Sequence, residues 1–466
     1  MVFSNLIFLG FFLPVVLGLY FFVYRLYGRI SWLNGILLAA SLFFYAWGEP
    51  LWICAMLLTA TLDYWNGRRI DRYRGRWQAK VALWGSIVFD LGVLFCFKYL
   101  GFAVEVANSL LPVTLSVPQI EMPIGISFYT FQSLSYLLDL YWGKVEVQRR
   151  YSNYLLYIAM FPQLVAGPIV RYADIAQQLK RRVITLAGFQ QGVWRFVCGL
   201  SKKVILANYA GEAAALLLDG NVGQLSVAGA WLGILLYAFQ IYFDFSGYSD
   251  MAIGLGCMFG FRYHENFRYP YLSTSVTDFW RRWHISLGFF FRDYVYIPLG
   301  GNRRHQLRNI LIVWALTGLW HGASWNFVAW GLYYGCMLLI EKKFLLGFLR
   351  EHRLLGWCYT AVVVLWGWAL FYYTDLAQLQ QFLLAFLGLR PGIALWDLRA
   401  ASVVQQYFWL LPVFIVGATP YPVRLWQRLQ MGRLPGVNFT GLLALGLLCV
   451  VLLVGQSYNP FLYFRF

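Results

Sequence analysis

The chain of 466 residues is 60% hydrophobic and 20% aromatic, and only 12% of its residues are charged, whereas about a quarter are charged in a typical soluble domain. This composition, with a mean hydropathy of +0.59, excludes a soluble globular enzyme and indicates an all-α, polytopic membrane protein. The formal charge of +17 does not indicate nucleic-acid binding, because the basic residues are interleaved with apolar stretches and are not gathered on a soluble domain.

Apolar stretches that are long enough, or nearly long enough, to cross a bilayer recur along the whole sequence. A span takes roughly 20 helical residues. The first stretch lacks a basic leader and a cleavage site, so we expect it to stay as an anchor helix. We predict about a dozen transmembrane or re-entrant helices, at residues 3–24, 32–47, 51–65, 81–98, 124–142 and 188–207, then 227–243, 310–320, 327–340, 357–373, 407–423 and 440–454.

The lysine and arginine residues between these stretches predict the orientation of the chain, because cytoplasmic loops carry an excess of both. The turn at residues 48–50 and the loop with Glu212 and Asp219 contain neither, so we place them outside the cytoplasm and the amino terminus with them. The basic clusters that we place in the cytoplasm are residues 25–29, 68–80, 144–150 and 180–182.

No polar segment of domain size interrupts the spans, so residues 1–466 are predicted to form a single membrane domain. Within it we distinguish amino-terminal helices (1–117), a central block (118–330) and carboxy-terminal helices (331–466). The central block has short apolar runs broken by proline and glycine, and such backbone is tolerated at membrane depth only where it is buried or lines a cavity. We therefore expect this block to surround the functional site.

Several kinds of site are excluded by their missing motifs. The seven cysteines are scattered without CxxC spacing, and no HExxH or calcium loop occurs, so no metal site or disulfide framework is expected. The sequence has no P-loop and no dinucleotide fingerprint, and Ser246 does not lie in a nucleophile elbow. No matched pair of broken helices occurs in two halves, which argues against a transporter built from inverted repeats.

The first candidate motif runs from Ser275 to His284. Ser275 followed three residues later by Asp278 predicts a capped helix start. On a continuous helix, Arg281 and Trp280 would share a side with His284, at spacings of three and four, so a cation and an aromatic ring would converge with the imidazole. The alternative is an interfacial amphipathic helix whose arginines contact lipid headgroups.

The second motif contains Trp320 and His321, after a basic loop that ends at Arg308. The 13 residues from Arg308 to His321 correspond to roughly 20 Å of helix, in a membrane core about 30 Å thick. We therefore expect His321 to lie deep in the membrane, with Gly318, Gly322 and Ala323 leaving space beside the imidazole. The alternative is a buried histidine that is hydrogen-bonded for packing alone.

Polar and ionisable groups at membrane depth are costly and are functional by default. A neutral imidazole can take a proton from a hydroxyl or thiol near neutral pH, which favours a catalytic role for the two histidines. Asp90, Asp139, Asp244 and Asp250 could contribute to a proton path, although such carboxylates are more often paired structurally or cap helices. The further candidates for substrate or donor binding are Arg281, Trp283, Trp320, Asp244 and Ser246.

At these positions the chain resembles the membrane-bound O-acyltransferase (MBOAT) family, in particular its bacterial branch of polysaccharide O-acetylases of the alginate type. The related D-alanyl transferases share the Trp-Arg-Arg-Trp-His motif and a later histidine. The resemblance covers nearly the whole chain. Besides the opening Met-Val-Phe-Ser and the closing Phe-Leu-Tyr-Phe-Arg-Phe, the stretches that carry it are residues 123–142, 161–172, 244–252, 278–302 and 318–330.

The resemblance implies an MBOAT fold with a central tunnel, in which His321 is the catalytic histidine and His284 the second active-site residue. It implies a bacterial inner-membrane enzyme with no bound cofactor, whose acetyl donor is cytoplasmic and expected to be acetyl-CoA. The acetyl group would pass to extracytoplasmic acetyltransferase partners that modify an exported polysaccharide, with alginate expected.

Several alternatives stay open at the level of sequence. The polymer could instead be cellulose, or the chain could transfer D-alanyl or another acyl group to a different envelope polymer. A lipid or acyl-carrier transporter, or a scaffold for a polysaccharide synthase, would need neither histidine.

Overall fold

The computed structural model describes residues 2–111, 115–118, 120–165, 167–431, 435–456 and 461–462, with the side chains of 429–431 and 435–438 left aside. Within these residues the protein is helical and contains no β-strand, which confirms the predicted all-α class. The closing motif beyond Leu462 lies outside the described residues.

The chain forms two compact units, and both are discontinuous in sequence. Unit 1 comprises Met1–Phe196, Asp250–Glu265 and Arg292–Tyr294, and unit 2 comprises Val197–Ser249, Asn266–Phe291 and Val295–Phe466. The subregions predicted at residues 117 and 330 follow sequence composition and have different boundaries from these units.

Ten helices begin in the part of unit 1 that the structure describes. They are α1 (Leu13–Tyr27), α2 (Ile30–Gly48), α3 (Ile53–Arg72), α4 (Trp77–Leu94), α5 (Leu100–Leu110), α6 (Ile126–Tyr141), α7 (Tyr151–Ala159), α8 (Phe161–Leu164), α9 (Tyr172–Lys180) and α10 (Leu186–Ser201). Two π-helical turns, Phe8–Phe12 and Phe95–Tyr99, precede α1 and α5.

The remaining helices carry the candidate site. They are α11 (Asn208–Leu218), α12 (Val227–Met258), α13 (Val276–Arg282), α14 (Ile285–Phe291), α15 (Gln306–His321), α16 (Trp325–Ile340), α17 (Leu346–Glu351), α18 (Arg353–Tyr372), α19 (Leu376–Phe386), α20 (Leu398–Tyr407), α21 (Leu411–Gly417), α22 (Tyr421–Met431) and α23 (Pro435–Gly455). Shorter π and 3-10 turns lie at Lys202–Ala207, Val222–Gln224, Pro270–Leu272, Arg292–Tyr296 and Glu341–Leu345.

All but one of the apolar stretches predicted above fall on a single helix or on one run of consecutive helical turns; the exception, residues 407–423, is divided among α20, α21 and α22. Fewer helices than predicted have the length and hydropathy of a complete span. In the described chain five do: Phe8–Tyr27, Ile30–Gly48, Trp77–Leu110, Val227–Met258 and Arg353–Tyr372. A sixth is possible if the pair Leu398–Tyr407 and Leu411–Gly417, bent by 67°, forms one broken span. Among the remaining helices α6, for example, has only 16 residues.

Helices α15 and α16 form a closely packed hairpin within unit 2. A Cβ atom added to Gly318 would lie 2.2 Å from the carbonyl oxygen of Phe327, and one added to Gly331 would lie 2.2 Å from that of Trp314. Only glycine allows two helix backbones to approach this closely. The hairpin fixes the turn at residues 322–324, which follows directly on His321.

Candidate active site

The start of α13 is held by two polar side chains. The Ser275 hydroxyl accepts a hydrogen bond from the Asp278 N–H at 3.0 Å, so the predicted helix cap is confirmed. The fully buried Glu341 accepts from the N–H groups of Val276 and Thr277, each at 2.7 Å. Its carboxylate thus satisfies helix N–H groups that have no partner within the helix and balances the positive end of the helix dipole.

Helix α13 ends at Arg282, two residues before the first candidate histidine. Trp283 is extended (φ −99°, ψ 129°), His284 has φ of 45°, and α14 begins at Ile285. The prediction of one continuous helix through His284 was therefore wrong. A histidine in the left-handed region is uncommon and costs energy, and such positions cluster at functional sites.

A neighbouring extended segment stabilises this break. The backbone N–H of Ile285 donates to the carbonyl of Asn266 at 2.9 Å, and the N–H of Ser286 donates to the Asn266 side-chain oxygen at 3.0 Å. The Arg268 N–H donates in turn to the carbonyl of Arg282 at 2.9 Å. These bonds satisfy backbone groups that an unbroken helix would have paired internally.

The His284 ring is buried, with 4% of its surface exposed, and it lies outside the five long apolar helices. Its ring centroid is 6.1 Å from that of Phe267 and 5.7 Å from that of Trp320. Burial lowers the pKa of His284 to about 4, so the imidazole is neutral at physiological pH. Among the described residues its Nδ1 atom is buried and has no hydrogen-bond partner.

His321 is the last residue of α15 and is only partly buried. Aromatic rings meet its imidazole edge to face, with centroids at 4.9 Å for Trp320, 5.0 Å for Trp330 and 5.2 Å for Phe371. The carboxyl end of a helix favours a positive charge. This position therefore suits an imidazole that becomes protonated during a reaction.

Trp320 lies against both histidines. Since its ring centroid is 5.7 Å from that of His284 and 4.9 Å from that of His321, the two imidazole centroids are at most 10.6 Å apart, the sum of the two distances. The structure thus brings together two residues whose proximity the sequence could not predict.

The small residues near His321 serve helix packing and do not leave the expected space. Gly318 faces the backbone of Phe327, and a Cβ on Gly322 would lie 2.1 Å from the Phe327 ring. The prediction that Gly318 and Gly322 open a space beside the imidazole was therefore wrong, because α16 fills it. The accessibility of His321 comes instead from its position at the helix end.

Four aromatic side chains on α13, α15 and α16 pack against one another, and one of them, Trp330, also contacts His321. We call this group the aromatic cluster. Its members are Trp280, Trp314, Trp330 and Tyr334, whose ring centroids lie 4.7 to 6.1 Å apart. Within the described part of the chain, the indole N–H groups of Trp280 and Trp330 and the Tyr334 hydroxyl are buried without a hydrogen-bond partner. Buried donors of this kind usually have partners, so the cluster offers polar contacts to a ligand.

Arg281 is exposed on the last turn of α13. Because the helix ends before His284, the predicted common face of Arg281 and His284 does not exist. The adjacent Arg282 is paired with Asp278 at 3.0 Å. Trp283 is buried, and its ring stacks on Phe279 with a centroid distance of 5.6 Å, so it anchors the break.

The remaining candidates lie on α12. Asp244 is buried, 2.8 Å from the Lys203 ammonium, and its second oxygen accepts from the Leu462 N–H at 2.8 Å. These contacts indicate a structural role for Asp244. They hold Leu462, at the end of the described chain, against α12. The Ser246 hydroxyl is also buried and has no hydrogen-bond partner among the described residues. A role for either residue in substrate binding stays a prediction.

The other carboxylates that could form a proton path lie in unit 1. Asp139 contacts Lys144 at 3.5 Å and accepts from the Tyr294 hydroxyl at 2.7 Å, and Asp250 pairs with Arg195 at 2.9 Å. Both therefore have structural partners. No group of three metal-ligating side chains occurs in the described residues.

Sequence reasoning missed four residues that shape the site: Asn266, Trp330, Glu341 and Phe371. Trp330 and Tyr334 are four residues apart on α16. Their spacing was a detectable signal that two aromatic side chains with polar groups share one face of this helix. Asn266 and Glu341 carried no comparable signal, because each acts on a segment distant in sequence.

Comparison with known proteins shows the family to which the chain belongs. Residues 148–377, which include both histidines, match the MBOAT, membrane-bound O-acyltransferase family. The chain is also 36% identical over 496 aligned positions to the probable alginate O-acetylase AlgI of Pseudomonas putida, with 100% of both chains covered. The chain belongs to the membrane-bound O-acyltransferase family.

Two further relatives are similar to the chain over most or all of its length. The probable alginate O-acetylase AlgI of Azotobacter vinelandii is 42% identical over 383 positions, covering 80% of this chain and 75% of the relative. The peptidoglycan O-acetyltransferase of Helicobacter pylori is 30% identical over 521 positions, covering 100% of this chain and 98% of the relative. The protein is thus a polytopic membrane acyltransferase of the MBOAT type, as the sequence predicted.

Proposed function

We propose that this MBOAT enzyme passes acetyl groups from a cytoplasmic thioester, acetyl-CoA, across the inner membrane for O-acetylation of an exported polysaccharide. Alginate is the proposed polymer, because relatives named as alginate O-acetylases match at 36 and 42% identity. The full-length relative named as a peptidoglycan O-acetyltransferase, at 30%, supports peptidoglycan as a second candidate. Cellulose and teichoic acid are the remaining alternatives.

The observation that carries this proposal is the arrangement of His284, Trp320 and His321, in a chain that belongs to an acyltransferase family. Transfer of an acyl group to a hydroxyl needs a base for the hydroxyl proton and a donor for the oxyanion that forms at the carbonyl. Two imidazoles that both contact one indole provide candidates for both tasks.

In the proposed reaction His321 takes the proton of the acceptor hydroxyl as the oxygen attacks the thioester carbonyl carbon. The carbon–sulfur bond then breaks, and the thiolate leaves and takes the proton from the imidazolium. Neutral His321 is regenerated, and the acetyl group has moved to the acceptor oxygen. The carboxyl end of α15 stabilises the transient positive charge on His321.

We assign His284 the role of orienting and polarising the thioester. It is neutral, because burial lowers its pKa to about 4, so it can donate one hydrogen bond without introducing a buried charge. The indole of Trp320 contacts both imidazoles. Arg281, which is exposed, is proposed to bind the anionic part of the donor.

The proposed orientation has the amino terminus in the periplasm and the donor in the cytoplasm. It is supported by unit 1, where Arg74, residues 144–150 and Lys180, all from predicted cytoplasmic clusters, line one cavity together with Ile30. The 19 residues of α2 separate this end from the turn at residues 48–50 by roughly 28 Å. The acetyl group would then be received by extracytoplasmic partner proteins.

The test is to express His321→Ala and His321→Gln variants in a producing bacterium whose own copy of the gene is deleted. Both variants should abolish acetylation of the secreted polymer while membrane abundance stays near normal, since a general base contributes about 10² to 10⁴ in rate. Glutamine keeps a hydrogen-bonding group but is a poor base. Retained acetylation in His321→Gln would refute the assignment and favour the transporter or scaffold reading.

Analysis of which polymer loses acetyl groups in the deletion strain distinguishes the substrates. Loss from alginate alone supports the proposed polymer. Loss from peptidoglycan or cellulose moves the proposal to that polymer and leaves the reaction class unchanged.

A further inference from the structure

Unit 1 contains a cavity of about 830 Å³ that the proposed reaction does not use. Four parts of the sequence line it: residues 30–34 at the start of α2, 71–74 at the end of α3, 143–153, and 179–180 at the end of α9. Small-molecule sites in proteins typically have volumes of about 300 to 1,000 Å³. The cavity is therefore large enough for a phosphorylated cofactor or a lipid headgroup.

The lining of the cavity is strongly basic. Three of its cations are paired: Arg74 with Asp71 at 3.3 Å, Lys180 with Glu146 at 3.2 Å, and Lys144 with Asp139, which is not part of the lining, at 3.5 Å. With five basic and two acidic residues, the lining has a formal excess of three positive charges. The five basic residues are Arg74, Lys144, Arg149, Arg150 and Lys180.

Arg149 and Arg150 are the cations that remain available for a ligand. Both are exposed, and within the described residues neither side chain forms an ion pair. They directly precede α7, whose amino end has no side-chain cap and no acidic residue in its first turn. A helix amino terminus favours an anion, and an arginine guanidinium matches the geometry of phosphate oxygens.

The polar wall of the cavity is already fixed by hydrogen bonds. The buried Asn34 amide donates to the Asn153 side chain at 3.1 Å and to the Leu179 carbonyl at 2.9 Å. The buried Gln148 amide donates to the Tyr172 hydroxyl at 3.1 Å. A ligand therefore meets a formed pocket and does not have to order these side chains on binding.

We propose that this cavity binds a phosphate-bearing ligand, with the phosphate at Arg149, Arg150 and the amino end of α7. Two sources share this chemistry: the phosphates of a soluble coenzyme, and the headgroup phosphate of an anionic phospholipid. The proposal concerns binding only and does not rest on the acetyl-transfer reaction.

The experiment uses the full-length protein purified in detergent and probes both sources. Isothermal titration with coenzyme A measures soluble binding, and native mass spectrometry with phosphatidylglycerol against phosphatidylcholine measures lipid binding. The test variant is Arg149→Gln combined with Arg150→Gln, which leaves the backbone contacts of both residues in place. The matched control is Arg76→Gln, an exposed arginine that does not line the cavity.

We expect the double variant to bind one of the two probes at least about tenfold more weakly than the control, since two charge-assisted contacts are lost. Weaker coenzyme A binding with unchanged lipid binding identifies a soluble ligand. Loss of the preference for phosphatidylglycerol identifies a lipid headgroup. Absence of binding of both probes to the unmodified protein, or equal binding by the double variant and the control, would overturn the proposal.

Discussion

Gly331→Ala tests whether the close crossing of α15 and α16 fixes the position of His321. A Cβ at residue 331 would lie 2.2 Å from the Trp314 carbonyl oxygen, whereas ordinary contact begins at 3.4 Å. The oxygen must therefore move by about 1.2 Å, the difference between these distances. Because it belongs to a helix backbone and cannot rotate away, the two helices must separate.

This separation of the helices should lower both the free energy of unfolding and the rate of acetyl transfer. Overpacking of this kind destabilises by about 1–3 kcal/mol. His321 ends α15, and its ring centroid lies 5.0 Å from that of Trp330, the residue before the substitution. A displacement of about 1 Å at a reacting group can cost on the order of 10²-fold in rate, so we expect turnover to fall about 10- to 100-fold.

The assay combines thermal unfolding in detergent with acetyl release from the donor by the purified variant. Gly347→Ala is the matched control, because this glycine also lies in a helix of unit 2 and a Cβ there would meet nothing within 4 Å. It should keep normal activity and gain up to about 1 kcal/mol, since alanine reduces the entropy of the unfolded chain.

Equal stability and turnover in Gly331→Ala and Gly347→Ala would refute the packing argument. A destabilised Gly331→Ala variant with full turnover would leave the packing argument standing. It would refute the inference that the helix crossing positions His321.

Glu341→Ala should destabilise the protein by about 2–4 kcal/mol, because two buried N–H groups at the start of α13 lose their acceptor. Glu341→Gln keeps an acceptor and should lose less stability. Equal unfolding temperatures of the two variants would contradict this prediction. Stability should fall as the pH decreases from 6.5 toward about 4, since the pKa of His284 is lowered to about 4 and the unfolded chain takes up the proton first. In His284→Asn, whose side chain tolerates positive φ, that part of the pH dependence should disappear from the unfolding curve. Reporter fusions after Gly48 should report the periplasm and those after Arg74 the cytoplasm, and an inverted result for both would reverse the proposed donor side.

Composition and hydropathy were enough to predict the helical class and the position of most apolar helices, although they missed α19 and predicted one helix at residues 407–423, where the chain is divided among α20, α21 and α22. They could not predict how many helices are complete spans, because α6, α15 and α16, with 16 residues each, have the composition of membrane helices but not the length. Hydropathy measures the transfer of a segment into lipid and does not tell whether neighbouring protein surrounds it.

The candidate site was predictable in its residues but not in its geometry. Both histidines stood out because ionisable groups are rare in such a chain. The break at His284 was not predictable, since nothing in Trp-Arg-Arg-Trp-His disfavours a helix and the bonds that stabilise the break come from Asn266. The role of Gly318 was predicted wrongly, because a glycine gives the same sequence signal whether it opens a space or admits a neighbouring backbone.

The contact of Trp320 with both histidines constrains how this site can change over evolutionary time. A smaller ring at residue 320 would alter the surroundings of His284 and His321 in one step, so the two histidines cannot adapt to it independently. Substitutions at these three residues are therefore expected to be strongly non-additive. If Trp320 is replaced during evolution, Phe267 and Phe371, which also contact the two imidazoles, must change as well before either imidazole can return to its original position.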